Sequence, residues 1–439
     1  MTFSGSEVSQ LRRGIKIFLS FGFKVTLKRP FGIGTISTEP SVAVKTAGPY
    51  VPELDAAMQT GHLAHDNRFL LLRSKVFWVA AVHERLATIQ VMMKALLLSE
   101  YGRLEMVEIP MPRPGPEDVL IRVEACGICG SDVHGYDGSS GRRIPPIVMG
   151  HEAAGTIAAR GAQASSPQEG DRVTFDSTIY CGLCAYCRNG EMNLCENREV
   201  LGVSTPEYRR AGAFAEYVVV PTRVVHPLPA KVPFAEAAMV EPLAVAVHAV
   251  SLAEIPKGAT ALVVGAGMIG LLVLQVLRDA GCSQIIVTDI DDSRLALAAK
   301  LGATATINAK TSDAVAEIVK GTSGTGVHVA LEAVGSTPTI KAAIESVRKG
   351  GTVVLIGNVT PSVEIPLQMV VSRQIRLQGS AASAGEYPKS IDMLARGAVD
   401  VKPLISVVAP LAEGPGWFDR LHAREPNLMK VVLAPGLPQ

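Results

Sequence analysis

The sequence lacks two features that would indicate a membrane or nucleic-acid partner: a long apolar run and an excess of one charge. Its 439 residues contain 42 Lys+Arg and 41 Asp+Glu, and only 19% of them are charged. A nucleic-acid binder normally shows a basic surplus, and a disordered chain carries more charge. The most apolar stretch, residues 69–82, is interrupted by Arg73 and Lys75, so no spanning helix is expected. We therefore expect a globular enzyme of two to three domains, without membrane or nucleic acid as a partner.

The N-terminal 92 residues differ from the rest because they contain no cysteine and are basic, with 11 Lys+Arg against 6 Asp+Glu. A regular pattern of short apolar runs begins only at Met93. We consider two interpretations of this extension, residues 1–92, either of which allows the segment to be disordered: a targeting segment, or a mis-called start followed by translation from Met92 or Met93, which we favour. No secretory signal is recognisable and the cysteine count is odd, so we do not expect a disulfide framework. We expect a cytoplasmic location.

Four of the seven cysteines fall within fifteen residues, at Cys181, Cys184, Cys187 and Cys195. Four thiolates on one compact lobe can complete a tetrahedral zinc shell with no open position, which is typical of a structural site. An iron-sulfur cluster also uses CxxCxxC spacing, but the continuation CxxxCP of the bacterial ferredoxin motif is missing here. The spacing therefore predicts a structural zinc.

A second group of metal-binding residue types lies upstream of this lobe. Cys126, Cys129 and His134 belong to one motif, and His151 and Glu152 follow Gly150. One thiolate, one imidazole and one carboxylate form an incomplete shell that leaves room for a water or substrate oxygen. The pattern indicates a catalytic zinc.

A glycine-rich turn marks a dinucleotide site. Gly265, Gly267 and Gly270 form GxGxxG between an apolar strand and a helical run, where the backbone can approach a pyrophosphate. Asp289 ends the next predicted strand and can bind the adenosine ribose, which favours NAD over NADP. Arg294 either contacts the edge of this ribose or lies on a solvated helix face.

The segments after this turn continue to alternate between strand and helix patterns. Two strands flank the turn, at 261–264 and 285–289, and four more are predicted at 304–307, 327–333, 352–357 and 375–378. Helices are predicted at 294–301, 313–320 and 339–348. Six strands separated by short helices indicate a doubly wound parallel sheet. Residues 93–250 instead show short alternating runs rich in Gly and Pro, which indicate an antiparallel, barrel-like β domain.

In their joint order, these motifs resemble those of the zinc-containing medium-chain alcohol and polyol dehydrogenases, over residues 93–439. The similarity is to the branch of sorbitol (L-iditol 2-), butanediol and threonine dehydrogenases. It is carried by the motifs above together with Gly150–Gly155, Gly212–Tyr217 and Glu241–Ala244.

The resemblance implies an α/β architecture in which a GroES-like, β-rich catalytic domain is joined to a doubly wound Rossmann domain. It assigns residues 93–250 and 382–439 to the zinc-binding catalytic domain and residues 251–381 to the NAD-binding domain. The implied cofactors are NAD and two Zn²⁺ ions, one catalytic and one structural. The implied reaction is hydride transfer from a secondary alcohol or polyol to NAD, which gives a ketone.

Carried over position by position, the resemblance makes Cys129, His151 and Glu152 the catalytic zinc ligands and gives Cys126 no metal role. Glu241 stands where the alcohol dehydrogenase branch has a cysteine ligand. It is expected beside the metal, and whether Glu152 or Glu241 is the third protein ligand stays open. Both glutamates are therefore candidates for a part in catalysis.

The family pattern also implies a proton path and further cofactor contacts. Ser131 is expected to accept the proton of the alcohol, and His134 to pass it to solvent through the cofactor ribose. Ile269 and Gly357 are expected to join the glycine-rich turn in contacting NAD.

The substrate is where the sequence departs from the polyol branch. A tyrosine usually follows the motif histidine, and a Phe-Arg pair follows the last sheet strand, but the chain has Gly135, Ala381 and Ala382. Tyr136, Asp137 or Glu386 could replace these anchors. Butanediol or threonine dehydrogenase activity, a non-catalytic NAD- or zinc-binding relative and a zinc-free quinone reductase are the alternatives. A small alcohol or polyol is the expected partner, and a homodimer or homotetramer is typical of the resemblance.

Overall fold

The computed structural model describes residues 90–437, so the predictions for the N-terminal extension fall almost entirely outside the described residues. Contacts group Met92–Gln439 into one compact unit. Within the described residues this unit contains four β-sheets, one of them with parallel strands only.

The parallel sheet forms because its strands are apolar runs that helices cover on both faces. Its six strands are β12 (Thr260–Val264), β13 (Gln284–Asp289), β14 (Ala305–Asn308), β15 (Val327–Glu332), β16 (Val347–Leu355) and β17 (Arg376–Gly379). Their order is β14-β13-β12-β15-β16-β17. Successive strands are therefore added towards one edge of the sheet up to β14 and towards the other edge from β15 on, with the switch between β12 and β15. Ligands of open parallel sheets bind at such a switch point, beyond the carboxyl ends of the strands.

Eleven α-helices lie within the described residues. Before the parallel sheet come α1 (Gly130–Tyr136), α2 (Ala185–Arg188), α3 (Phe234–Ala237) and α4 (Val240–Ser251). Between its strands lie α5 (Met268–Asp279), α6 (Asp292–Lys300), α7 (Ala314–Gly321), α8 (Thr337–Ser346) and α9 (Leu367–Ser372), and after it α10 (Tyr387–Ala395) and α11 (Gly414–His422). Asp291 and Asp313 cap α6 and α7 through side-chain bonds to backbone N–H groups, which ends these two strand-to-helix turns sharply.

The other three sheets are built mainly from antiparallel pairs. The largest contains β3 (Asp118–Gly127), β5 (Glu152–Arg160), β6 (Arg172–Phe175), β10 (Tyr217–Pro221), β11 (Val225–Pro227), β18 (Ile405–Pro410) and β19 (Lys430–Ala434). One of the two smaller sheets contains β1 (Met92–Glu100), β2 (Arg103–Pro110) and β4 (Ile147–Val148). The other contains β7 (Thr178–Ile179), β8 (Glu199–Leu201) and β9 (Arg209–Arg210).

One place in the large sheet brings together strands that are far apart in the chain. Gly127, at the end of β3, pairs with Glu152 at the start of β5 and with Val432 of β19. The end of β3 and the start of β5 therefore meet beside β19. This junction positions the metal-binding residues described below.

One stretch of the described chain, Phe234–Ser251, has the length and apolar composition of a membrane span, but 67% of it is buried inside the protein. It consists of α3 and α4, and α4 packs against α5 and α10. A buried core helix accounts for its composition.

Candidate active site

Three metal-binding side chains converge at the junction of β3 and β5. Donor atoms of Cys129, His151 and Glu152 all lie within 4.8 Å of one another. Cys129 is the N-cap of α1, and its sulfur accepts a bond from the N–H of Ser131, while His151 immediately precedes β5. One sulfur, one nitrogen and one oxygen donor suit a zinc ion with an open coordination position. The donor set thus fits the catalytic zinc expected from the sequence.

Glu152 is also held by a buried cation that the sequence analysis missed. The Lys430 Nζ lies 2.8 and 2.6 Å from the two carboxylate oxygens and 2.9 Å from the carbonyl oxygen of Ile128. Burial by itself lowers the pKa of Lys430, but Glu152 and Cys129 outweigh it and the pKa is raised. The missed signal was a lysine within the apolar run of β19, since a buried charge needs a partner.

Gly127, the last residue of β3, makes room for the carboxylate of Glu152. A Cβ atom at Gly127 would lie 2.2 Å from Oε2 of Glu152, closer than any real contact. The carboxylate therefore packs directly against backbone.

The Asp132 carboxylate forms an ion-pair contact with Nδ1 of His151, an atom that has no hydrogen-bond partner among the described residues. The Asp132 Oδ1 lies 3.3 Å from Nδ1 of His151 and accepts a 3.1 Å bond from Nη2 of Arg143. Burial raises the pKa of Asp132, but the His151 ring and the Arg143 guanidinium together bring it down to about 2. A carboxylate on Nδ1 leaves Nε2 free to face a metal. The sequence analysis included Asp132 in a motif but gave it no role.

The two proposed proton-path residues are both exposed, but they are not bonded to each other. The Ser131 Oγ accepts a 3.1 Å bond from Nη2 of Arg143, and the His134 Nδ1 lies 3.3 Å from Oγ of Ser139. Among the hydrogen bonds of residues 90–437, none joins Ser131 to His134. Ser131 thus lies next to the proposed ligand Cys129, and His134 lies on the same helix without a bond to Ser131.

Glu241 lies near this group but outside the three-donor cluster. It is in the first turn of α4, with its Oε1 3.5 Å from Oγ of Ser177. Burial, reinforced by Glu152 and Asp132 and opposed by His151 and Lys430, raises the pKa of Glu241 to about 7. A second buried acid, Asp176, lies nearby. Its pKa is also raised, mainly by burial, and the charge of Glu241 contributes to this rise.

The four-cysteine lobe is also assembled. Donor atoms of Cys181, Cys184, Cys187 and Cys195 lie within 4.8 Å of one another. Backbone N–H groups of Leu183 and Cys184 point at the sulfur of Cys181 and lower its pKa to about 6. Deprotonated thiols are the form that binds metal, so this lobe fits a closed zinc site.

The glycine-rich turn lies between β12 and α5 as expected. A Cβ atom at Gly270 would lie 1.8 Å from the carbonyl oxygen of Gly265, whereas one at Gly267 would meet no protein atom within 4 Å. Gly270 thus allows helix and strand to touch, and Gly267 borders open space at the N-terminus of α5. Ile269 follows in the first turn of α5, half-buried. This geometry fits a pyrophosphate on a helix N-terminus.

Asp289 lies at the carboxyl end of β13, beside this turn. Its Oδ2 accepts a 2.6 Å bond from the N–H of Ala266, and its Oδ1 accepts bonds from Ile290 and Asp291. Arg294 is exposed on α6, where its Nε lies 4.0 Å from a carboxylate oxygen of Asp291. The aspartate is thus fixed at the edge where a ribose would lie.

Gly357 follows β16 at the carboxyl edge of the parallel sheet. A Cβ atom there would lie 2.2 Å from the backbone nitrogen of Gly335, and Gly335 itself has a φ of +87°. The two loops therefore touch backbone to backbone beyond the ends of β15 and β16. Only glycine allows this close approach.

Two of the three substitute substrate anchors suggested by the sequence are engaged in other contacts. The Tyr136 hydroxyl group is bonded to the carbonyl oxygen of Gly102 and to Asp419 on α11. Asp137 accepts bonds from Ser139 and His422. Both are used for packing α1 against α11. Glu386 is half-buried and paired with His248 at 2.8 Å.

Two known protein families match the chain. Residues 115–230 match the alcohol dehydrogenase GroES-like domain, and residues 269–396 match the zinc-binding dehydrogenase family. The sorbitol dehydrogenase of Bacillus subtilis is 35% identical over 348 residues, which cover 78% of this chain and 97% of that enzyme. The L-idonate 5-dehydrogenase of Vitis vinifera is 37% identical over 303 residues, covering 67% and 82%.

A solved structure is similar over most of this chain. It is a protein of Sinorhizobium meliloti 1021, described as a zinc-binding dehydrogenase and determined with NADP bound. The two chains superpose with a TM-score of 0.73 at 35% sequence identity, over 79% of this chain and 100% of that one.

Proposed function

The chain belongs to the zinc-binding alcohol and polyol dehydrogenases, and from this premise we propose that it oxidises a secondary hydroxyl group of a small polyol to a ketone with NAD. Family membership confirms the fold class, a GroES-like domain with a Rossmann-type dehydrogenase domain, and makes the chain an oxidoreductase that uses zinc and a nicotinamide cofactor. The substrate, the choice of NAD and the roles of single residues are our proposals.

The observation that carries the proposal is the open cluster of Cys129, His151 and Glu152. Cys129, His151 and Glu152 would hold a zinc ion that would acidify the hydroxyl group of the substrate, and a bound nicotinamide would supply the hydride acceptor. Asp132 fixes the ring of His151, and Lys430 compensates the charge of Glu152. These contacts hold the donors in place before the substrate arrives.

The proton of the substrate needs an acceptor at this site. The Ser131 Oγ is exposed and can take it, and the exposed imidazole of His134, one helical turn further along α1, can deliver it to solvent.

An activity screen with a matched cysteine control tests the proposal. The protein should reduce NAD with at least one polyol, diol or secondary alcohol and should contain about two zinc ions per chain. Cys129→Ser should abolish activity, while Cys282→Ser, which removes a half-buried cysteine outside both clusters, should preserve it. A fully active zinc-free preparation would refute the proposal.

The proposed preference for NAD rests on Asp289. A carboxylate fixed at the end of β13 accepts bonds from ribose hydroxyl groups and repels a 2′-phosphate. Asp289→Ser should therefore lower the ratio of kcat/KM for NAD to that for NADP at least tenfold. Glu317→Gln, on the exposed side of α7, is the control and should leave the ratio unchanged. The relative from Sinorhizobium meliloti was determined with NADP bound, so both cofactors should be measured. A wild-type enzyme that prefers NADP would contradict the proposal.

A smaller diol is the second candidate substrate. Gly135, Ala381 and Ala382 supply no polar side chain where the polyol branch has anchors, and Tyr136 and Asp137 are engaged elsewhere. Fewer anchors favour a substrate with fewer hydroxyl groups. Higher kcat/KM for a vicinal diol than for a hexitol in the same screen would select this candidate.

We also propose a homo-oligomer and a cytoplasmic location. Apolar side chains near the edge strand β17 are exposed, with Val359 at 63%, Leu367 at 63% and Val371 at 71%, which favours association through this edge. Four metal-binding thiols must stay reduced, which suits the cytoplasm. Fluorescent fusions of the full chain and of a chain starting at Met93 would show whether residues 1–92 change the location.

A further inference from the structure

One buried cation near the metal ligands is not explained by the chemistry proposed so far. Arg143 lies in the segment between α1 and β4 and is only 4% exposed. A buried guanidinium is costly unless its donors are satisfied. Nη2 is bonded at 3.1 Å to both Ser131 and Asp132, but Nε has no hydrogen-bond partner among the described residues. Buried donors are usually paired, so an arginine with an unpaired donor beside the metal ligands needs an explanation.

The space that Arg143 occupies exists because residue 135 is glycine. A Cβ atom on Gly135 would lie 2.1 Å from Cγ and 2.8 Å from Cβ of Arg143. Any side chain at 135 would therefore displace the arginine stem. Gly135 and Arg143 form one packing unit, and the departure of Gly135 from the polyol pattern has a local structural reason.

The two bonds of Arg143 connect two separate parts of the site. Ser131 is the proposed proton acceptor, whereas Asp132 orients the metal ligand His151. A guanidinium only donates hydrogen bonds, so the oxygen of Ser131 must be the acceptor in their contact. That bond leaves the hydroxyl hydrogen of Ser131 free to point elsewhere, and it fixes where the oxygen lies.

We propose that Arg143 is a positioning residue of the active site, which Gly135 admits and which holds Ser131 and the Asp132–His151 pair in one fixed arrangement. Arg143 does not touch the substrate in this role. It sets the position of a group that does and, through Asp132, the ring orientation of a metal ligand. The inference rests on the proposed dehydrogenase function for its kinetic consequences, but its metal-binding consequence is independent of activity.

The kinetic test uses Arg143→Ala, Arg143→Lys, Gly135→Ala and the double variant, with Arg142→Ala as the matched control. Arg142 is the adjacent arginine but is exposed. Arg143→Ala should lower kcat about 10- to 100-fold, the range typical of residues that support metal ligands, with the KM for NAD near its wild-type value. Arg143→Lys should restore part of the loss. Arg142→Ala should match the wild type.

The double variant separates positioning from general damage. Gly135→Ala should lower kcat as Arg143→Ala does, because both displace the same guanidinium. Adding Gly135→Ala to Arg143→Ala should then cost little more, since the Cγ atom that lies nearest to the new methyl group is gone and only the Cβ of residue 143, at 2.8 Å, still crowds it. Independent, multiplying losses would overturn the proposal. If Arg143→Ala does not fold, Arg143→Lys and Gly135→Ala decide the question in the same way.

A second measurement needs no turnover. A chelator should remove zinc from the site of Cys129, His151 and Glu152 faster in Arg143→Ala than in the wild type. The four-cysteine zinc, whose ligands do not contact Arg143, should leave at the wild-type rate and serves as an internal reference. Unchanged zinc release together with unchanged kcat in a folded Arg143→Ala protein would overturn the proposal. A wild-type protein inactive with every alcohol would instead refute the function, and the zinc-release result would still decide the role of Arg143.

Discussion

The Lys430–Glu152 pair holds a metal-ligand side chain in place but adds little to the stability of the fold. Both side chains are almost fully buried, at 3% and 1% exposure. A buried ion pair gains little over an apolar pair, but removing one partner leaves an uncompensated charge. The two residues must therefore be considered together.

We expect Lys430→Met to destabilise the metal-free protein by about 3–5 kcal/mol, because it leaves the Glu152 charge buried without its cation. Urea denaturation would measure the free energy of unfolding. Adding Glu152→Gln should recover part of the loss. Lys402→Met is the control, since Lys402 is 73% exposed and lies 3.8 Å from Glu236, and it should cost less than about 1 kcal/mol. Equal losses for the two lysine variants would contradict this account of the pair.

Asp176 predicts a pH dependence of stability. Burial, with smaller contributions from Glu241 and Glu386, raises its pKa from 3.8 to about 7. Between these values the folded state keeps a proton that the unfolded state has lost, so stability falls as the pH rises. Above pH 7 the loss is complete and amounts to at most about 4 kcal/mol.

The Asp176→Asn variant should escape this loss while still accepting the bond from the N–H of Thr178. Its stability relative to the wild type should therefore increase from pH 4 to pH 7 in denaturation experiments. The control variant Glu317→Gln should follow the wild type at every pH. A constant difference between Asp176→Asn and wild type would show that Asp176 is ionised in the fold throughout this range.

At the scale of elements, the strand–turn–helix unit formed by β12, the glycine-rich turn and α5 separates two uses of glycine. Gly270 is needed for contact within the protein, and Gly267 for access from outside. The two requirements can be distinguished because only the first concerns the protein without cofactor.

Gly270→Ala should therefore lower the melting temperature, since its methyl group would collide with the carbonyl oxygen of Gly265. Gly267→Ala should leave the melting temperature of the cofactor-free protein near its wild-type value. Both should weaken NAD binding, as measured by titration calorimetry. A Gly267→Ala protein that binds NAD as tightly as the wild type would place the pyrophosphate elsewhere.

The elements also show what sequence patterns can predict. All six strands of the parallel sheet were predicted, each within a few residues except β16, which begins earlier than expected, because most of them contain an apolar run between turn signals. The four-cysteine set that begins at Cys181 was predicted because its ligands follow local spacing, whereas the choice of Cys129, His151 and Glu152 came from the resemblance to known dehydrogenases. Arg143 and Lys430 were missed because their roles depend on contacts outside any motif. No local pattern announces that β19 pairs with β3.

At the scale of the whole molecule, the exposed edge of the parallel sheet is the surface best suited to self-association. The outermost strand, β17, leaves one side without a neighbouring strand among the described residues, and the exposed Val371 lies in α9 just before it. Unpaired strand edges that remain apolar tend to pair with another chain.

Val371→Asp should therefore shift the protein towards smaller species in light scattering coupled to size-exclusion chromatography. Leu183→Asp is a control of the same kind, because Leu183 is 76% exposed but lies on the four-cysteine lobe. It should leave the assembly unchanged. A wild-type protein that is monomeric at all concentrations would contradict the proposed oligomer.

The position of β19 at the junction also affects how the enzyme is made. Glu152 and Lys430 are 278 residues apart in the chain. At about 5–20 residues per second, a ribosome synthesises Lys430 roughly 15–60 seconds after Glu152. Until then the nascent chain contains all three metal ligands without the cation that compensates one of them. Chains that terminate before residue 430 should therefore not form a working site, so activity is acquired only after nearly the whole chain has been translated.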